Sequence, residues 1–146
     1  MSTYGYPDWS PARDYLSGLS GSQVAIEFGQ TQQGMGTVYS VAAGKVFVLV
    51  RIVSILAVYG DGVNFPGSFI ASMQTTKGLS GSGAGFTIIR QTVFTQATNG
   101  EHSEVIIDGP IAISGGASGN DIQYQGVVAH LGGWDGSVLI VGVALN

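Results

Sequence analysis

The residues that could act in catalysis are few in this chain, and they are widely separated. Its histidines are His102 and His130, and it contains no cysteine. A serine hydrolase needs a serine on a sharp turn, a histidine base and an orienting carboxylate. Ser80, Ser82 and Ser118 have glycine neighbours, but none of them lies in a G-x-S-x-G sequence. We therefore predict no catalytic residue and expect the protein not to be an enzyme.

Each histidine also has an ordinary structural explanation. His102 follows a predicted hairpin turn, where a solvated side chain is expected. His130 lies near the end of a predicted strand, beside Gly132, which favours a hydrogen-bonded residue of a sheet or an interface. Several carboxylates near predicted strand ends do not single out one pair for glycoside hydrolysis. These carboxylates are Glu101, Glu104, Asp108, Asp121 and Asp135.

The chain offers no recognisable metal or cofactor motif. Zinc needs three or four His, Cys or carboxylate ligands, and two distant histidines do not supply them. Asp61, or Asn120 with Asp121, could give oxygen ligands to calcium, but Asn and Asp are also common turn residues. The glycine-rich residues 81–85 lack the lysine of a phosphate-binding loop. We predict no metal and no cofactor, and loop-bound calcium is the alternative.

The composition predicts one turn-rich domain whose surface is partly covered. The chain has 146 residues, of which 24 are glycine, and only 10% are charged, against about 25% in an average domain. Its five Lys and Arg residues are scattered, and the formal net charge is −4. Phosphate binding needs clustered cations, so nucleic acid is not an expected partner.

Residues 1–15 show no basic cluster followed by an apolar core, so we predict no secretory signal. The absence of cysteine excludes disulfide bonds and fits synthesis in a reducing cytoplasm. A final location outside a cell would then follow release by lysis.

Residues 45–59, KVFVLVRIVSILAVY, are apolar at almost every position and rich in β-branched side chains, which predicts a strand. A bilayer-spanning helix needs ~20 apolar residues, and this run is shorter and contains Arg51, so no membrane partner is expected. Strict alternation predicts two apolar faces. One face would hold Val46, Val48, Val50, Ile52, Leu56 and Val58, and the other Phe47, Leu49, Val53, Ile55 and Ala57. Such a strand must be covered by a second layer, either in an ordinary sandwich core or with help from another subunit.

Short apolar runs alternating with turn residues predict eight or nine strands and no helix. Besides residues 45–59, the predicted strands are 23–28, 36–41, 68–75, 86–97, 103–108, 111–114, 122–131 and 136–145. Asn99 and Gly100 predict a tight hairpin turn, and residues 78–85 a mobile or closely apposed loop. The pattern predicts an all-β, single-domain β-sandwich over residues 23–146, preferably a jelly roll.

Residues 1–22 predict an extended N-terminal arm that docks on a partner. They contain proline and glycine but also several aromatic residues, whereas disordered tails are usually poor in aromatics. The candidate interface residues of the arm are Tyr4, Tyr6, Trp9, Arg13 and Tyr15. A frayed terminus is the alternative, and residues 8–14 could also begin a helical turn.

Trp134 lies at a predicted hairpin tip, where an aromatic ring could serve as a platform for a sugar. Asp135, Asn120 and Tyr124 could supply polar groups nearby. The alternative, a packing or subunit contact, is favoured because the neighbouring sequence is apolar. Trp134 is therefore a candidate interface residue of the sandwich, together with Arg51 and Arg90 as candidates for ion pairs between subunits.

Two segments, GTVYSVAAGKVFVLVRIVSI and SEVIIDGPIAISGGASGNDIQYQGVVAHLGG, resemble a β-sandwich of tailed-phage virions, notably capsid decoration or cement proteins and some neck and fibre components. In that group a T-x-Y-x-V-P-x-G-K opener precedes a long apolar strand. Thr37, Tyr39, Val41, Gly44 and Lys45 match it, while Ala42 replaces the usual proline. Gly119-Asn120-Asp121 stands where the group has a tighter Gly-Asp. The resemblance covers residues 36–145.

This resemblance implies a structural protein without catalytic residues. Its expected place is the outside of an icosahedral capsid, bound to the major capsid protein as a homotrimer that clamps neighbouring capsomers. A tail, neck or fibre module is the alternative within virions, and a carbohydrate- or receptor-binding sandwich is the alternative outside that group.

Overall fold

A computed structural model describes residues 20–30, 34–59, 67–95, 101–128 and 133–146 of the chain. These residues form eight β-strands. The strands are β1 (Gly21–Gln30), β2 (Gly34–Val41), β3 (Val46–Tyr59), β4 (Gly67–Thr75), β5 (Thr87–Thr95), β6 (Glu101–Ser114), β7 (Asn120–Val128) and β8 (Gly133–Leu145).

The strands form two four-stranded antiparallel sheets. Sheet A has the order β1-β8-β3-β6, and sheet B has the order β2-β7-β4-β5. Each sheet therefore combines strands that are distant in the chain, and the chain crosses repeatedly between the two sheets. Eight strands in this order are the arrangement of a jelly roll. The predicted all-β sandwich of jelly-roll type is confirmed.

The core lies between the sheets and is almost entirely apolar. Phe47, Ile52 and Leu56 from β3 are fully buried, as are Ile122 and Tyr124 from β7 in the opposite sheet. Full burial of such side chains stabilises the fold by about 1.5–3 kcal/mol each. The two sheets are therefore held together mainly by side chains of their central strands.

Strict alternation along β3 was a wrong prediction, because a β-bulge interrupts it. The pairing of β3 with both β6 and β8 shifts between Leu49 and Arg51. Phe47 and Leu49 before the bulge, and Ile52 after it, all belong to the core cluster. Val50 and Arg51 consequently both lie on the outward side, as is typical of two bulge residues that oppose one.

The predicted strands 103–108 and 111–114 are parts of one strand, β6. Pro110 predicted a break because proline has no backbone N–H for a sheet ladder. However, β6 is the edge strand of sheet A, where one side of the backbone needs no partner. The strand β6 pairs with β3 on both sides of Gly109 and Pro110, because Asp108 lies opposite Arg51 and Ile111 lies opposite Leu49.

The boundary of the predicted arm differs slightly from the structure, because β1 begins at Gly21 and includes Ser22. The remaining arm residues, 1–19, lie outside the described residues, as do the predicted helical turn at 8–14 and the Asn99-Gly100 turn. Ser20 is tied to the other end of the chain, since its backbone oxygen accepts a hydrogen bond from the Asn146 N–H at 3.2 Å.

Candidate interaction surface

The outward side of sheet A, here called the outer A face, is unusually apolar. Its exposed or half-buried apolar positions are Ala25 on β1, Val53, Ile55 and Ala57 on β3, Ile106 and Ala112 on β6, and Leu139 and Val141 on β8. Val48, Val50 and Val143 also lie on the outward side, but they are only 2–3% exposed. These assignments follow from the core positions and the alternation of side chains along each strand. Ile55 and Ile106 are 40% and 47% exposed. Contiguous exposed apolar patches are typical of interaction surfaces.

The pairing register places these residues side by side across the sheet. Val53 lies opposite Ile106 on one side and Leu139 on the other, and Ile55 lies opposite Glu104 and Ser137. Adjacent strands are about 4.8 Å apart, so each row of neighbouring side chains forms a nearly continuous strip. The exposed apolar residues therefore form one surface rather than isolated positions.

Part of this surface is concave. A groove of about 580 Å³, here called the outer A groove, is lined by Glu27, Phe28, Gly29, Val53, Ile55, Ser137, Val138 and Leu139. Its apolar wall comes from β3 and β8, while β1 contributes the carboxylate of Glu27 opposite Leu139. Glu104 lies beside Ile55 at the β6 edge, and Asp135 lies opposite Ala57. The groove is apolar inside and has acidic residues around it.

Arg51, a predicted interface residue, is paired within the chain. Its Nε lies 2.8 Å from Oδ1 of Asp108, and its Nη2 donates to Oδ2 at 3.4 Å. The Arg51 side chain is 6% exposed, whereas that of Asp108 is 61% exposed. The bulge in β3 brings the guanidinium opposite the edge strand. A role of Arg51 between subunits stays a prediction.

The outward side of sheet B, here called the outer B face, is mostly polar. Its polar residues are Thr37 and Ser40 on β2, Ser72 and Gln74 on β4, Arg90 and Thr92 on β5, and Asp121, Gln123 and Gln125 on β7. Two apolar residues also lie there, Met35 on β2, which is 49% exposed, and Ile70 on β4. Arg90, another predicted interface residue, is exposed there on the edge strand β5. It lies opposite Ser72.

Asn120, a possible calcium or sugar ligand in the sequence, is instead a structural residue. Its Oδ1 accepts hydrogen bonds from the Lys77 N–H at 2.9 Å and from Thr76 Oγ1 at 3.2 Å. Its Nδ2 donates to the backbone oxygens of Gly78 and Ser114, both at 3.1 Å. These four contacts use the hydrogen-bonding capacity of a buried amide, and none is left for a ligand.

The glycine-rich loop after β4 is closely apposed to the turn after β6. The Ser114 N–H donates to Leu79 O at 2.8 Å. Gly81 and Gly116 both have positive φ, and a Cβ on either one would collide with the backbone of the other. Of the two predicted possibilities for residues 78–85, close apposition agrees with these contacts.

Tyr124 does not offer a polar group to a sugar, because it is 1% exposed and belongs to the core. Burial raises the pKa of its phenol to about 12. Trp134 belongs to β8 opposite Val58, but its side chain lies outside the described part of the structure. The sandwich interface role predicted for Trp134 is therefore untested.

The remaining predicted site residues also lie outside the description. The arm residues Tyr4, Tyr6, Trp9, Arg13 and Tyr15 are among residues 1–19, and His130 and Asp61 fall in gaps. His102 lies opposite Ala57 in the pairing of β6 with β3, but its side chain is not described. Within the described ranges, no three His, Cys, Asp or Glu side chains are grouped to hold a metal ion.

The sequence analysis did not predict a hydrogen-bonded cluster of polar residues that joins the two sheets in the core. Ser54 Oγ donates to Gln91 Oε1 at 2.6 Å, and Gln91 Nε2 donates to Ser103 O at 3.2 Å. These bonds join β3 and β6 of sheet A to β5 of sheet B. The signal was the position of Gln91, two residues from both Ile89 and Val93 on a strand, which places its amide on the core side.

No protein-family model matches the chain, and no curated protein matches it either. The part of the chain that the structure describes contains no helix with the length and hydropathy needed to span a bilayer.

Proposed function

We propose that this chain is a structural virion protein of a tailed phage, a head decoration or cement protein without enzymatic activity. It binds the major capsid protein on the outside of the capsid and associates with itself, as a homotrimer, to stabilise capsomer contacts. The protein would be made in the host cytoplasm and then located on the capsid surface.

The observation that supports this proposal is the apolar outer A face. Jelly rolls are typical of viral capsid proteins, lectins and metal-binding cupins. The described residues include no group of metal ligands, and two of the residues expected to serve a sugar site, Asn120 and Tyr124, are buried. An apolar sheet face with exposed isoleucines favours a protein that functions by association.

The stabilising mechanism is mass action. A protein that binds the assembled lattice, and not its free parts, lowers the free energy of the lattice by RT ln(1 + [L]/Kd) at each site. Repeated sites on a capsid add these contributions. No bond is made or broken, so no catalytic group is required.

The test is binding to purified phage heads that lack the protein. We expect the full-length protein to co-sediment with the heads and to raise the temperature at which they release DNA. Ile106→Lys, on the outer A face, should weaken binding, and Gln123→Lys, on the outer B face, should not. Electron microscopy of the virion would then locate the subunit. Its presence only on tail, neck or fibre would contradict the head assignment.

A further inference from the structure

The outer A groove has the shape and charge to bind a specific segment. We propose that residues 1–19 of a second copy of this chain bind in the outer A groove. This inference rests on the proposed function, because it states how the copies of a multi-copy shell protein are joined.

The groove suits aromatic side chains. Val53, Ile55 and Leu139 form its apolar wall on two adjacent strands, and its volume is about 580 Å³. Aromatic side chains each bury about 150–250 Å² when they dock. Residues 1–19 contain four of them, Tyr4, Tyr6, Trp9 and Tyr15.

The charges around the groove favour an occupant with a cation. Glu27 lines the groove, and Glu104 and Asp135 are exposed neighbours on β6 and β8. Two outer A faces packed on each other would bring these like charges together, which disfavours symmetric face-to-face pairing. Arg13 lies among the aromatic residues of the arm. Its guanidinium can pair with one of these carboxylates, although Asp8 and Asp14 give residues 1–19 one more acidic than basic side chain.

Three of the four described cations are engaged or directed elsewhere, and the fourth, Lys45, is exposed just before β3. Arg51 pairs with Asp108, and the Lys77 ammonium donates to Ser118 Oγ and Gly119 O. Arg90 lies on the outer B face, on the opposite side of the sandwich. Arg13 is thus well matched to the acidic residues of the groove.

The length of the segment is sufficient. Nineteen residues in extended conformation span up to ~60 Å. The segment joins the sandwich at Ser20, which is held by Asn146 at one end of sheet A. Glu27 lies about 20 Å further along β1. A segment leaving Ser20 can therefore cross to the groove of an adjacent copy.

The test uses the absence of cysteine in the chain, which makes an introduced thiol unique. Ser137→Cys in the full-length protein places the thiol in the groove, and a benzophenone maleimide attached to it captures nearby residues on irradiation. Gln123→Cys, on the outer B face, is the matched control. Trypsin cleaves after Arg13, so residues 1–13 form a diagnostic peptide.

We expect a cross-linked species at twice the 15.0 kDa chain mass on a denaturing gel, with residues 1–13 joined to the labelled peptide. The yield should exceed that of the control by at least about tenfold. Capture of residues 1–13 within a single chain would overturn the proposal, since the arm would then bind its own subunit. Capture of no arm peptide would also overturn it. Head binding of the unlabelled full-length protein is measured separately, which distinguishes failure of this proposal from failure of the proposed function.

A charge exchange gives an independent readout. Arg13→Glu should lower the yield of the cross-linked dimer, and adding Glu27→Arg should restore it. Equal yields from all three proteins would contradict the pairing of Arg13 with the groove.

Discussion

The outer A and outer B faces belong to sheets with four strands each and the same antiparallel pairing, but their outward residues differ in kind. Outer B carries mainly Thr, Ser, Gln, Asp and Arg side chains, as expected of a sheet with one solvated face, and Met35 and Ile70 are apolar exceptions. Outer A carries more Val, Ile, Leu and Ala, together with the acidic Glu27, Glu104 and Asp135, and three of its valines are buried. Since both faces are outward in one chain, the fold alone does not require the apolar residues of outer A. This difference is the reason we propose outer A as a contact face.

The largest expected effect comes from placing charge on outer A. Ile55→Lys with Ile106→Lys should weaken self-association by about 100-fold, because two partly exposed side chains lose roughly 1.4 kcal/mol of burial each. Sedimentation equilibrium measures this. Gln123→Lys with Gln125→Lys adds the same charge to outer B and should change association little. Equal effects of both pairs would remove the distinction between the faces.

The pH dependence of stability at Tyr124 tests whether water is excluded from the core beneath outer B. The pKa of Tyr124 is raised from 10.0 to about 12 by burial, so the unfolded state loses its proton first as pH rises. The contribution of the protonated Tyr124 phenol to the free energy of unfolding is therefore fully present below pH 10 and is lost between pH 10 and about 12. We expect wild type to lose up to about 2 kcal/mol more than Tyr124→Phe over this range. Parallel pH profiles in denaturant unfolding would show that this phenol is hydrated.

The Arg51–Asp108 pair tests the polar part of outer A. Asp108→Asn should lower the free energy of unfolding by about 1 kcal/mol, since the carboxylate is largely exposed and screened by solvent. Arg51→Met should cost less, because an apolar side chain suits that face and leaves no buried charge. Chemical denaturation at low salt measures both. A larger loss for Arg51→Met would show that the pair is not the main role of Arg51.

The smallest expected effect is that of one apolar residue on outer B. Gln123→Val should change self-association by less than about threefold, because its neighbours on β2 and β4, Thr37 and Gln74, are polar and no continuous patch forms. Light scattering at increasing concentration is the measurement. Strong association of this variant would mean that any added apolar residue suffices and that outer A is not special.

Much of the fold was predictable because its signals are local. Alternation along β1, β2, β7 and β8 and the turn residues between them indicate strands without reference to partners. Asn120 was recognisable as a turn residue, but its four hydrogen bonds come from residues about 40 positions away and from Ser114. The candidate site was less predictable, since Ile55, Ile106 and Leu139 lie on three separate strands.

The sequence by itself determined that β3 is apolar on both sides and that the chain is poor in catalytic residues, because side-chain chemistry and strand propensity are properties of the local chain. Only the tertiary structure decided which side of β3 enters the core, through a bulge defined by its pairing with β6 and β8. It also decided that β6 and β8 flank β3, which joins their outward apolar residues into one face. Those pairings depend on contacts between distant residues, and they are stabilised by burial rather than by any local preference.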